Sequence, residues 1–298
     1  MLFERQKRLL ALVDTFGGSV RGLDFQKLLF LYCQEVEETP SYEFVPYRFG
    51  GFSFTSYADK RRLIKRGLLV DEEHAWTLTA AGKAEAVVAS PMRVCMRQFV
   101  RLHTHLRGGA LVAEAYRRYP YYAIRSEMAE RVLVGDVAAL AAVAESRPTA
   151  GKPGICTIGY EGRSLEGYLN RLIQYQVTLL CDVRRNPLSR KYGFSKNTLA
   201  KGCEGVGIRY EHLPELGIAS ENRRGLETQA DYDALFADYE RESLPLQAQA
   251  LAKIRRWVKG GDRVTLTCFE RLPQQCHRHC VAEALERAFG RVFAPVHL

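Results

Sequence analysis

The stretch CFERLPQQCHRHC, from Cys268 to Cys280, holds three cysteines, two histidines and two arginines. Residues of these types at this spacing admit three kinds of chemistry. The first is metal binding. Cys276 and Cys280 are four apart and His279 is three from Cys276, so on a helix they share a face, and Cys268 could join them in a tetrahedral zinc site, although no Cys-x-x-Cys knuckle accompanies them. The second is thiol chemistry. Cys276 stands at a predicted helix N-terminus beside His277 and Arg278, where the helix dipole and the cations favour a thiolate, and Asp182 or Glu161 could serve as acid or base. Cys268 is a further nucleophile candidate, but Gln274 occupies the place of the arginine in a Cys-x5-Arg phosphatase loop. The third is anion binding. A helix N-terminus offers unpaired N–H groups, Arg278 adds a fork, and Arg184, Arg185 and Arg190 come from another loop. A purely structural reading also stands, in which the cysteines fill core and the arginines pair with Glu161, Asp182 and Glu215. Anion binding asks for the least special chemistry and is the favoured reading; no metal is assigned.

The elements that would position these residues alternate from Ile155 onward. ICTIGYEG reads as a strand with a glycine turn, SLEGYLNRLIQYQ as a helix capped by Ser164, and VTLLCDVR as an apolar strand ending at Asp182. A helix from about Ser195 follows, then the strand-like GIRYEHLPELG, two helices over DYDALFADYE and LPLQAQALAKIRRWV, the strand RVTLTCFE, and a last helix from Cys276. The terminal RVFAPVHL can add a strand. Apolar strands alternating with helices predict a mainly parallel sheet, Rossmann-like, with helices on both faces. In such sheets ligands bind outside the carboxyl ends of the strands. Each strand here ends in polar groups: Tyr160 and Glu161, Asp182 and Arg184, His212 and Glu215, Cys268 and Glu270. The expectation is a composite pocket in which Tyr160, Arg184, Arg185, Arg190, His277 and Arg278 bind ligand, with Asp182, Glu161, Cys268 and Cys276 as catalytic candidates.

Upstream, SRPTAGKPG (146–154) reads as a linker. Before it, apolar residues at helical spacing in FERQKRLLALVDTF stop at Gly17-Gly18, Asp24 can cap a second helix, and ADKRRLIKRG makes a third ended by Gly67. LLVDEEHAWTLTAAGKAEA then reads as strand, turn, strand and a helix capped by Thr79. Helices followed by a strand pair make a winged helix over 1–90, with a helical extension over 91–145 and the α/β domain over 155–298. Lys60, Arg61, Arg62, Lys65 and Arg66 on the third helix form a dense basic cluster suited to nucleic-acid phosphates, DNA foremost. His103 and His105 read as surface or hinge residues, and Tyr119 to Tyr122 as aromatic packing or a base-stacking turn.

The 298 residues carry a formal charge of +9, with a basic excess in both halves, which favours an anionic partner such as nucleic acid or a phosphorylated small molecule. No apolar run is long enough for a membrane span, MLFERQKRLLALV lacks the look of a secretion signal, and eight irregularly spaced cysteines fit a reduced, cytoplasmic protein.

Two resemblances add to this. FQKLLFLY, FGGFSFTSYADKRRLIKRGLL and WTLTAAGKA resemble the winged-helix domains of bacterial toxin–antitoxin and phage-defence proteins, whose third helix follows a Gly-Pro-Phe-Ser-like turn; Gly51 stands here where proline is commoner. TIGYEGRSLEGYLNRL, CDVRRNPLSRKYGFSKNTLA, GIRYEHLPELG and CFERLPQQCHR resemble family 488 of the domains of unknown function. That likeness implies a fold and a pocket without a reaction, and its members' frequent place near nucleic-acid processing and defence genes implies a nucleic-acid-processing or phage-defence role. The expected function is therefore a nucleic-acid-associated protein, possible enzyme, with a phosphate- or nucleotide-binding pocket and no cofactor specified. The competing classes are a ligand-sensing DNA-binding regulator and a zinc-stabilised scaffold.

Overall fold

Gly17 and Gly18 both adopt left-handed backbone (φ 96° and 86°), which an L side chain resists, and they close the first helix, α1 (Glu4–Thr15). The computed structural model describes residues 1–72, 74–149, 151–223 and 225–298, so Glu73 of the expected strand turn and Ala150 of the expected linker lie outside the described residues. The chain divides into two units, Met1–Arg147 and Pro148–Leu298.

In the first unit α1 is followed by β1 (Ser19–Arg21), α2 (Gly22–Glu35), the hairpin β2 (Val45–Tyr47) and β3 (Gly50–Phe52), and α3 (Phe54–Lys65). Next come β4 (Leu69–Val70), β5 (Ala75–Leu78), α4 (Ala80–Glu85), α5 (Ser90–His103), α6 (Gly108–Arg118), α7 (Ala129–Val132) and α8 (Val137–Glu145). The strand pair β4–β5 is joined antiparallel by β1, giving the order β1-β5-β4, with the buried Trp76 opposite Val20. β1 and the β2–β3 hairpin are shorter than strand periodicity can resolve and do not stand out in the sequence. Ser53 caps α3 by accepting from the Ser56 amide, and Thr79 caps α4 by accepting from that of Gly82. Asp24 does not cap α2 as expected. It sits in the first turn and accepts instead from the Gly108 amide at 2.7 Å. His103 is likewise no surface residue: it is buried, stacked on Phe99 and bonded through Nδ1 to the Phe99 carbonyl. Tyr119 and Tyr122 pack edge-on against Phe30 within this unit.

The second unit runs β6 (Gly154–Gly159), α9 (Leu165–Gln174), β7 (Leu179–Asp182), α10 (Lys196–Gly205), β8 (Arg209–His212), α11 (Gln229–Asp238), α12 (Ala248–Lys259), β9 (Arg263–Cys268), α13 (Arg278–Phe289) and β10 (Val296–His297). The five strands form a parallel sheet in the order β10-β6-β9-β7-β8. Alternation along the strands sends Leu179, Cys181, Val264 and Leu266 to one face, where Ile254 and Val258 of α12 and Val281 and Leu285 of α13 complete a hydrophobic core. Thr267 faces the other way and accepts a hydrogen bond from Tyr168 of α9 at 2.8 Å. Helices therefore cover both faces, and the inner strands β6, β9 and β7 are buried along nearly their whole length, whereas the edge strands β8 and β10 are partly or fully exposed.

The strand order fixes where the sheet opens at its carboxyl edge. From β6 the chain crosses past β9 to β7 by way of α9; from β9 it crosses past β6 to β10 by way of α13, on the opposite face. Neighbouring strands whose connections leave in opposite directions open a crevice at their carboxyl ends. Among the described residues no helix is long and apolar enough to cross a membrane.

Among the described residues, the buried Lys27 has no ion-pair partner. Lys27 of α2 is 2% exposed, and its Nζ donates to the Gly51 carbonyl at 3.0 Å. Burial pulls its amine pKa down to about 7. The unfolded chain binds this proton more tightly than the folded one between pH 7 and the free lysine value, so the penalty is full below pH 7 and fades as pH rises. Lys27→Met is expected to stabilise the protein by roughly 2–4 kcal/mol near pH 6, with the gain shrinking towards pH 10, in denaturant titrations across that range.

Candidate functional site

A cavity of 240 Å³ occupies the crevice at the ends of β6, β9 and β7, with Tyr160, Arg184, Arg185, Arg223, Cys268 and Glu270 in its lining and Asn186, Leu188, Ile218 and Phe269 completing it. Its rim rests on two close backbone approaches. A Cβ at Gly159 would run into the Glu270 carbonyl, so β6 and the segment after β9 can pass only because that residue is glycine; the Glu161 amide then donates to the Phe269 carbonyl at 2.9 Å. Gly217, after β8, lies in the same way against the backbone of Arg185.

Asp182 and Arg184 form the centre of the rim. Both are buried; Arg184 donates from Nε to Asp182 Oδ1 at 2.8 Å and from Nη2 to Oδ2 at 2.5 Å. The Asp182 carboxylate also accepts from the Arg184 amide at 3.1 Å and from the Tyr210 hydroxyl at 2.6 Å. Burial first, and the adjacent Asp182 carboxylate second, push the Tyr210 hydroxyl above its usual range. Nη1 of Arg184 reaches the Tyr160 hydroxyl at 3.0 Å and the Phe194 carbonyl at 2.8 Å, while the Tyr160 and Phe194 rings stack with centroids 4.4 Å apart. Asp182 is thus saturated by partners and serves to hold Arg184, and Arg184 ties the end of β7 to the end of β6 and to the 185–195 loop.

The thiols lie along the same wall. Cys268, Cys276 and His277 are all buried, and their donor atoms fall within 4.8 Å of one another. Cys268 Sγ is 3.8 Å from His277 Nδ1 and 3.5 Å from Glu270 Oε2. His277 Nε2 faces the Val183 carbonyl at 3.0 Å and must donate to it. A hydrogen bond from the Cys276 thiol, and then the His277 ring and Arg223, hold Cys268 well below the usual thiol range in spite of burial. Burial pushes Cys276 up, and so does the proton it shares with Cys268. Burial also raises Glu270, with Cys268 adding to it, although Arg223 pairs with its carboxylate.

Other candidates lie elsewhere. Arg278 is buried and clamps the carbonyls of Glu270 and Arg271 through Nη1 and Nη2 at 2.6 and 3.0 Å, so its fork faces the loop and not the cavity. Glu161 is exposed and accepts from the Arg271 amide. Arg185 is exposed at the cavity mouth, whereas Arg190 is exposed outside its lining. The last helix starts at Arg278, not Cys276, which leaves Cys276 in extended backbone and His277 as the cap. His279 bonds to the Cys276 carbonyl and packs on Phe236, and neither it nor Cys280 joins the cluster around Cys268. On α3, Arg61, Arg62, Lys65 and Arg66 are exposed, but Lys60 is buried, bonded to Asp71 at 2.7 Å and set over the Trp76 ring. Sequence reasoning missed Arg223, which ends a single 3-10 turn (Ser220–Arg223) with no periodic signal, and Tyr210, which stands opposite Leu180 in the register of β8 against β7 and reaches Asp182 only diagonally.

Residues 164–285 match the model of a family described as a domain of unknown function, DUF488. The matched span holds the Asp182–Arg184 pair and the Cys268, Cys276 and His277 cluster, and it leaves out β6 with Tyr160. No curated protein and no solved structure matched the chain.

Removing one member of a buried ion pair strands the other. Asp182→Asn is expected to cost about 3–5 kcal/mol in chemical denaturation, and Asp182→Leu combined with Arg184→Met to recover most of that loss.

Proposed function

We propose that the second unit is a Rossmann-like domain whose strand-end crevice recognises the phosphate of a nucleotide, and that the first unit is a winged helix that binds nucleic acid. The observation that supports the crevice reading is its place at the reversal of strand connections, with arginines on its walls and Arg185 exposed at the mouth. At 240 Å³ it is below the usual 300–1,000 Å³ of a small-molecule pocket and suits a phosphoryl group with part of a sugar. A neighbouring cavity of 430 Å³ shares Arg185 and Ile218 with it and carries Glu215, Asp238 and Glu242. Those carboxylates repel a second phosphate and suit the amino edges of a base. A mononucleotide would place its phosphate beside Arg185 in the smaller cavity and its base in the larger.

Recognition is favoured over turnover for this crevice, because the carboxylates nearest the phosphate position are already committed, Asp182 to Arg184 and Tyr210 and Glu270 to Arg223. In the first unit the support is the row of exposed cations on α3, which can contact phosphates without reading bases.

Calorimetric titration of nucleoside monophosphates tests the crevice. Arg185→Ala should weaken binding about tenfold, the loss of one charge-assisted contact; unchanged affinity removes the phosphate from this site. For the first unit, duplex binding is followed against salt. Arg61→Ala with Arg62→Ala should lower affinity and reduce the slope of log K against log salt by about 2, and an unchanged slope places the nucleic acid off α3.

A further inference from the structure

Cys268 ends β9, and Cys276 and His277 stand just before α13, so three soft donors from the two sides of one loop converge at the crevice wall. Cys268 and Cys276 also belong to the buried core of the second unit, and His277 packs edge-on against Tyr239, but packing alone does not require three donor atoms to meet. Their exposures are 0%, 0% and 1%, and of the three only Cys268 borders the crevice cavity.

The orientation of His277 is the informative detail. Its Nε2–H is used on the Val183 carbonyl at 3.0 Å, which fixes the neutral ring as the tautomer with a lone pair on Nδ1. That lone pair faces Cys268 Sγ at 3.8 Å. A backbone carbonyl holding the far nitrogen is the usual outer support of a metal-bound histidine. Zinc bonds of about 2.3 Å to sulfur and about 2.0–2.1 Å to nitrogen, at tetrahedral angles, require an S···N edge of about 3.6 Å. The observed edge differs from that by less than a side-chain rotation corrects. Glu270 Oε2 lies 3.5 Å from Cys268 Sγ, a further oxygen donor beside one of the three, its other oxygen being paired with Arg223.

We infer that Cys268, Cys276 and His277 bind one divalent cation of the zinc class, with the fourth position taken by water or Glu270. Two thiolates and an imidazole select zinc and its surrogate cobalt over magnesium or calcium, which prefer all-oxygen shells. The set differs from the one the sequence suggested, since His277 replaces His279 and Cys280 takes no part. It is also independent of phosphate recognition, which invokes no metal.

The test uses the full-length protein, purified without chelator, stripped, and titrated with Co²⁺. The expected result is about one cobalt per chain, with an intense thiolate-to-cobalt band in the near ultraviolet and visible bands of tetrahedral strength. Cys276→Ser and His277→Gln should each lose or weaken these bands at least tenfold, while His279→Gln and Cys280→Ser keep them. Cobalt that binds without a thiolate band overturns the inference, as does retention of the full spectrum in Cys276→Ser. Failure to bind cobalt together with rapid alkylation of Cys268 in the folded protein overturns it as well. Since the wild-type spectrum alone decides the first of these outcomes, a variant that fails to fold leaves the test intact.

Discussion

A carboxylate and a guanidinium two residues apart, both out of reach of water, set the geometry of the strand-end crevice. Asp182 and Arg184 neutralise one another, but the pair also spends its remaining hydrogen-bonding capacity on three other pieces of chain, the end of β6 through Tyr160, β8 through Tyr210 and the 185–195 loop through the Phe194 carbonyl, and on its own turn through the Arg184 amide. Burial makes such a network costly to leave incomplete and therefore specific in geometry. The pocket walls are positioned by this one saturated interaction at the end of a central strand.

Buried cations are met in different ways here: Lys60 by the Asp71 carboxylate, Arg278 by two loop carbonyls, and Arg184 by the Asp182 carboxylate. Arginine keeps its proton under ordinary conditions, so Arg184 and Arg278 must be met as cations. Lys27 can give up its proton, and the fold tolerates it with only the Gly51 carbonyl as partner. A lysine at position 184 would lack the planar fork that reaches both oxygens of Asp182 while touching Tyr160 and Phe194.

Much of the second unit was legible in the sequence. Runs such as VTLLCDV and RVTLTC are rich in apolar and β-branched residues and alternate with helical segments, the pattern of a covered parallel sheet, and parallel strands deliver Tyr160, Arg184 and Cys268 to one edge whatever their order. The order itself was not legible, because it depends on which way each helix crosses the sheet. Nor was the orientation of single side chains. Arg278 and Lys60 read as free cations, yet each is turned inward, Arg278 onto two loop carbonyls and Lys60 onto Asp71 and Trp76. His279 and Cys280 had the helical spacing of ligands, but a helix that begins two residues later than expected gives that place to His277. In each case the deciding contact joins residues distant in sequence, or depends on a helix boundary that spacing leaves loose.

The two glycines at the rim carry a consequence for how this crevice could diversify. At Gly159 and Gly217 main chain lies directly on main chain, so part of the rim is drawn by the backbone, beside the buried Asp182–Arg184 pair. Exposed positions such as Arg185 and Asn186 can then change identity without altering the frame on which they are mounted. The identity of the groups at the mouth and the architecture of the frame are thereby separable properties in this fold, and descent can retune the first while leaving the second untouched.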